Sequence, residues 1–193
     1  MSGDIDYDRR RFLTAAITTI AAAELGMIGS SAAQSSKTKA TTVPAIKSGT
    51  NTPFGPLKQI DAGLLNVGYA EMGTSGGPPV ILLHGWPYDI HSFVDVAPLL
   101  ASAGYRVIVP YVRGYGTTRF LSKDTFRNGQ PSALGVDTTA FMDALKIDKA
   151  TLAGFDWGAR TANIVAALWP ERCKAMVSVS GYLIGSQEAG KMP

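Results

Sequence analysis

The chain has 193 residues, with 18 basic and 15 acidic side chains for a net charge of +3. That length suits one globular domain, and a hydrophobic content of 46% excludes a natively disordered polypeptide. The mild positive excess is scattered along the sequence without interleaved aromatics, which excludes a nucleic-acid surface; the single cysteine, Cys173, excludes an intramolecular disulfide.

In chain order the first legible segment is Asp8-Arg9-Arg10-Arg11-Phe12-Leu13. Paired arginines before an aromatic and a leucine resemble the twin-arginine export signal of bacteria. Thr14 to Ala23 is mildly apolar, and Ser31-Ala32-Ala33 offers a small-residue cleavage site before Gln34. A basic amphipathic helix is the alternative reading. The apolar stretch, closed by Glu24, is too short and too weakly apolar for a membrane span, and no cysteine at the cleavage site suggests a lipid anchor. The resemblance implies a signal peptide over 1–33, the twin-arginine machinery as a partner, and a destination in the bacterial periplasm or outside the cell. Residues 34–60, rich in Ser, Thr, Lys, Gly and Pro, read as a flexible linker, and 61–193 as the domain.

Within the domain, Leu64 to Met72 mixes apolar and polar residues and ends at Gly73-Thr74-Ser75-Gly76-Gly77, which predicts an antiparallel edge hairpin followed by a turn. Pro79 to Leu83 is a continuous apolar run typical of a strand buried on both faces. Tyr105 to Val109, Ala150 to Ala153 and Lys174 to Ser180 read as further strands. Helical patterns over Val94 to Ala101, Gly135 to Leu145 and Ala159 to Trp169 lie between them. Strands alternating with helices predict an α/β fold with a mostly parallel sheet and helices on both faces.

Two turns carry the chemistry. Gly154-Phe155-Asp156-Trp157-Gly158 joins a strand to a helix with small residues flanking its centre, as a nucleophile elbow requires, but holds aspartate where serine is usual. An aspartate there attacks saturated carbon and forms an ester. His84-Gly85-Trp86-Pro87 follows the buried strand, and both turns would open on one crevice beyond the carboxyl ends of the sheet. The backbone N–H groups of Trp86 and Trp157 are then candidate oxyanion donors. Gly-x-Asp-x-Gly also occurs in ordinary turns, and His84 with Trp86 could form no more than a packed loop with an aromatic plug. Arg113, Arg119, Lys123 and Arg127 fall in one loop region and read as a solvated face. Gly114-Tyr115-Gly116 lacks the third glycine of a dinucleotide fingerprint and opens no helix. With no phosphate loop and no metal-ligand spacing either, no cofactor is implied.

Together, His84-Gly85-Trp86-Pro87, Arg113-Gly114-Tyr115-Gly116 and Asp156-Trp157-Gly158-Ala159 resemble the α/β-hydrolase superfamily, in its branch with an aspartate nucleophile: epoxide hydrolases and haloalkane dehalogenases. The resemblance runs from about Phe54 to Tyr182 and is nearer to epoxide hydrolases, since dehalogenases usually carry Asn at the position of Trp86. Tyr111, where many relatives have aspartate, and Phe155, where histidine or glutamine is common, depart from the pattern. The resemblance implies a small organic substrate, Asp156 as nucleophile, oxyanion donors at Trp86 and Trp157, and an oxyanion loop and pocket formed by His84, Gly85, Pro87 and Phe155. It also implies a histidine and an acid well downstream, and cap tyrosines after the strand ending near Tyr182. The only histidines are His84 and His91, and neither suits the role of base. The expectation is therefore a C-terminally truncated hydrolase, inactive for turnover, with an unpaired apolar edge at Lys174 to Ser180. A dehalogenase-like enzyme, or a non-catalytic remnant that keeps the crevice as a binding module, are the alternatives.

Overall fold

A computed structural model describes residues 54–181; the leader, residues 34–53 of the linker and residues 182–193 lie outside the described residues. Strand β1 (Lys58–Ala62) and strand β2 (Leu65–Gly73) form the edge hairpin. Strand therefore begins inside the expected linker: Lys58 pairs with Tyr69, and its ammonium meets Glu71 at 2.6 Å. β3 (Pro79–Leu83) is followed by a 3₁₀ turn (Ile90–Phe93), helix α1 (Val96–Ser102) and β4 (Arg106–Pro110). A two-residue strand β5 (Arg119–Phe120), not foreseen from sequence, pairs with Leu65 and Asn66. Helix α2 (Pro131–Ala144), β6 (Ala150–Phe155), helix α3 (Trp157–Leu168), a 3₁₀ turn (Pro170–Arg172) and β7 (Cys173–Val179) complete the described order.

Helix α2 starts four residues before the expected Gly135. Pro131 occupies its first turn, where a missing N–H costs nothing and the fixed φ suits the helix. Gly135, the expected start, lies inside it instead because the helices cross closely there. A Cβ on Gly135 would come within 2.6 Å of Ile164 on α3.

The sheet runs β1-β2-β4-β3-β6-β7, with β5 on β2. β3, β4, β6 and β7 are parallel, and β2 is antiparallel to β4. Alternation along the buried strands sorts their side chains into two cores. Ile81, Leu83, Ile108 and Leu152 face α2 and α3, meeting Phe141, Met142, Ala162 and Val165. Val80, Leu82, Val107 and Val109 face the other way, onto Ile90, Phe93 and Ala97. β7 pairs with β6 alone among the described residues, and Met176, Val177 and Val179 are exposed, so the apolar edge expected there is present.

Candidate active site

The parallel strands β3 and β6 are in register from Val80 opposite Thr151 to Leu83 opposite Gly154, so the turns that follow them emerge side by side. At the second turn Asp156 has φ 52° and ψ −117°, a conformation that side chains other than glycine rarely adopt. Holding it there costs about 1–3 kcal/mol, an amount that surrounding structure must offset. The Asp156 N–H donates to Val179 O at 3.0 Å, which ties the turn to β7. A Cβ on Gly154 would collide with the Gly158 carbonyl carbon, and one on Gly158 with Leu83 O. Both glycines are thus required by close approach of backbone to backbone.

The first turn meets the second directly. Trp86 N–H donates to Asp156 Oδ1 at 3.0 Å. Gly85 permits this contact, since a Cβ there would lie 2.6 Å from Asp156 Cβ and 2.7 Å from Phe155 O. Trp157 is the first residue of α3, so its N–H is among those left without an intrahelical partner. Both expected donors therefore belong to backbone segments that touch or flank the carboxylate.

His84 is fully buried and holds the loop rather than serving the crevice. Its Nε2 lies 3.2 Å from the Val112 N–H; a backbone N–H can only donate, so Nε2 accepts. The ring proton is then on Nδ1, 3.3 Å from Gly85 O. Burial lowers the imidazole pKa below its ordinary value, against the opposing pull of that carbonyl and of Asp89, which keeps the neutral form. Tyr115 and Tyr111 pack edge-on against the ring at 4.8 and 6.5 Å between centroids.

His91 projects from the 3₁₀ turn. Asp89 Oδ1 accepts from its backbone N–H and contacts its Nδ1, both at 2.9 Å. Burial pushes the Asp89 carboxyl up, but the hydrogen bonds from His91 outweigh it and hold the carboxyl below its usual range. His91, Pro87 and Phe155 line one hollow, and the Phe155 ring packs against Tyr88 and Phe93 at 6.1 and 5.6 Å. Neither histidine contacts the Asp156 carboxylate in any hydrogen bond of the described residues.

Two features escaped the sequence. Arg113 is not on a solvated face: its side chain is 8% exposed and grips Asp137 with two nitrogens, at 2.5 and 2.6 Å, while Nη1 bonds Asn128 O at 2.6 Å. It locks the Arg-Gly-Tyr-Gly turn to the middle of α2, and its partner 24 positions on has no local signal. Tyr115 lines a cavity of about 230 Å³ with Gly85, Trp86, Leu134 and Trp157. Burial first, and the Asp156 charge second, raise its phenol pKa. Cys173 opens β7, half-buried, with its thiol pushed up by burial, which disfavours the reactive thiolate. Among the described residues there is no group of three or more His, Cys, Asp or Glu able to hold a metal ion, and no helix long and apolar enough to cross a membrane.

Comparison with known proteins bears on the fold and the family. The chain is 33% identical over 126 residues to an epoxide hydrolase of Caballeronia sordidicola, a match covering 65% of this chain and 38% of that one. It is 39% identical over 117 residues to epoxide hydrolase 3 of Siraitia grosvenorii, covering 60% and 35%. A crystal structure of a candidate epoxide hydrolase from Klebsiella pneumoniae superposes with a TM-score of 0.68 at 65% identity, covering 75% of this chain and 48% of that one. The chain thus spans less than half the length of each of these relatives. Residues 78–191 match the model of the alpha/beta hydrolase fold, and the chain belongs to that family.

Proposed function

We propose that this chain carries the nucleophilic half of an epoxide-hydrolase site. The observation that supports it best is the carboxylate of Asp156, held in strained backbone geometry with one oxygen on the Trp86 N–H at 3.0 Å. The names of the relatives point to the same substrate class. With Oδ1 so engaged, Oδ2 is the oxygen free to attack. It forms a bond to an epoxide carbon as the ring C–O bond breaks, and the ring oxygen leaves with the electron pair and takes a proton from solvent water. Asp156 is then an alkyl ester whose carbonyl oxygen is Oδ1. When water adds to that ester, the negative charge develops on Oδ1, already on the Trp86 N–H and near the start of α3. One such donor is worth about 3 kcal/mol in the transition state.

Hydrolysis needs a base to activate that water. His84 has both ring nitrogens engaged in the loop, and His91 is held by Asp89 on the 3₁₀ turn. Neither supplies it, so the chain by itself forms the ester and does not release it. Incubation with excess styrene oxide, read by intact mass, should give one persistent adduct and no catalytic diol. No adduct at excess reagent overturns the proposal. Adduct from a chloroalkane with release of halide, and none from the epoxide, would shift it to a dehalogenase.

Export belongs to the same proposal. Arg9 and Arg10 would address the chain to the twin-arginine pathway, so their replacement by lysine should retain the protein inside the cell. Unchanged export of that variant would contradict the assignment.

A further inference from the structure

Residues 121–130 join β5 to α2 without helix or strand. Phe126 in this loop is 81% exposed, the most of any large apolar side chain among the described residues, and Leu121 is 52% exposed. The Leu121 N–H donates to Leu64 O at 3.0 Å, which brings Leu64, 54% exposed in the turn between β1 and β2, beside them. Arg127 folds the loop back on β5, with its guanidinium 3.8 Å from the Phe120 ring centre and Nη2 3.5 Å from Ser122 O. Arg119, Lys123 and Arg127 are exposed around these apolar side chains. Asp124 is the one acid from 119 to 127, so three cations less one carboxylate leave +2. No ion pair of the described residues engages any of the four. β2 runs antiparallel to β4, with Tyr69 opposite Pro110, so Leu65 and its partner Phe120 lie beyond the carboxyl end of β4. The patch therefore shares one end of the sheet with the crevice.

We infer that this patch docks on an anionic lipid surface. Phe126, Leu121 and Leu64 enter among the headgroups, while Arg119, Lys123 and Arg127 meet the phosphates. Long basic side chains suit this division, because their stems lie along apolar surface while the charged ends stay in the polar layer. The shape favours lipid over protein. A specific protein interface needs roughly 800 Å² of complementary surface on each partner, which side chains standing out singly from a loop do not offer. A bilayer takes up each one separately, and its negative charge complements the uncompensated cations. No residue of the patch lines the two hollows beside the Asp156 turn, so docking holds or fails independently of the epoxide chemistry.

The test mixes the full 193-residue chain with phosphatidylcholine vesicles, with and without phosphatidylglycerol, and reads the bound fraction by sedimentation. Binding should require phosphatidylglycerol and fall as salt is raised. Phe126→Ser should weaken it about tenfold through lost apolar burial. Lys123→Gln should weaken it about fivefold through lost attraction to the charged surface. Both variants should keep the parental urea midpoint, since both side chains are exposed. Lys149→Gln, just before the amino end of β6 and so at the opposite end of the sheet, should bind as the parent does. Arg9, Arg10 and Arg11 also attract such vesicles, so amide exchange supplies the local readout. Vesicles should protect residues 120–127 in the parent and not in Phe126→Ser. Equal binding to both vesicle types, undiminished binding by Phe126→Ser and Lys123→Gln, or no protection over 120–127 would each overturn the assignment. A second copy of this chain, or an acidic protein, found on the loop in place of lipid would overturn it as well.

Discussion

A methyl group added at Gly85 would sit 2.6 Å from Asp156 Cβ, 2.7 Å from Phe155 O and 2.8 Å from Asp156 Oδ1. The carboxylate oxygen could swing away, but the Phe155 carbonyl is backbone at the end of β6, so the two turns must separate. Forced separation of packed segments costs about 1–3 kcal/mol of stability. It also moves the Trp86 N–H off Oδ1, so the carboxylate loses the contact that aims Oδ2, and a misplacement on the order of 1 Å slows attack by about 10²-fold. Gly85→Ala should therefore show both a lower urea midpoint and a much slower adduct rate with styrene oxide, followed by intact mass. Gly76→Ala is the control, since a Cβ there meets nothing within 4 Å. A Gly85→Ala protein that alkylates at the parental rate with an unchanged midpoint would refute the view that close contact between these turns positions the nucleophile.

Three other outcomes are expected. His84 has a folded pKa below its ordinary 6.5, so the unfolded chain binds more protons between the two values; its contribution to stability is complete above pH 6.5 and lost as pH falls through the folded value. Urea midpoints should drop as pH falls below about 6.5, and the drop should flatten in His84→Gln. Arg113→Lys loses the two-pronged grip on Asp137, and urea denaturation should register about 2 kcal/mol of destabilisation. Asp156→Gly removes a side chain from φ 52°, which should raise stability by about 1 kcal/mol by the same denaturation assay while abolishing adduct formation.

The elements most legible in the sequence were those whose signal is local. Pro79 to Leu83 reads as a strand because every position is apolar, and its burial on both faces makes every position apolar. The elbow was legible for a similar reason: Gly154 and Gly158 are demanded by contacts within a few residues and with the adjacent strand. What escaped depends on distant partners. β5 is two residues long and exists through pairing with Leu65 and Asn66, more than fifty positions earlier. Lys58 reads as linker until Glu71, on the neighbouring strand, gives it an ion partner. Arg113 reads as a surface charge because nothing near it in sequence announces Asp137. Helix α2 was placed late because Gly135 looks like a boundary, whereas its missing side chain makes room for Ile164. At the site, Asp156 and His84 already carry different roles in the sequence reading, and what the geometry adds is the hold of His84 on the Val112 N–H, 28 positions away, which no local signal announces.

The central claim is that one carboxylate out of all those in the chain is poised to attack. Peptide mapping by tandem mass spectrometry after exposure to excess styrene oxide tests it most directly, with the parental chain beside Asp156→Asn, whose amide oxygen can still accept from Trp86. The account predicts a single hydroxyalkyl ester on Asp156 and an unmodified Asp156→Asn protein. Modification spread over surface carboxylates, or equal labelling of the Asp156→Asn variant, would contradict it.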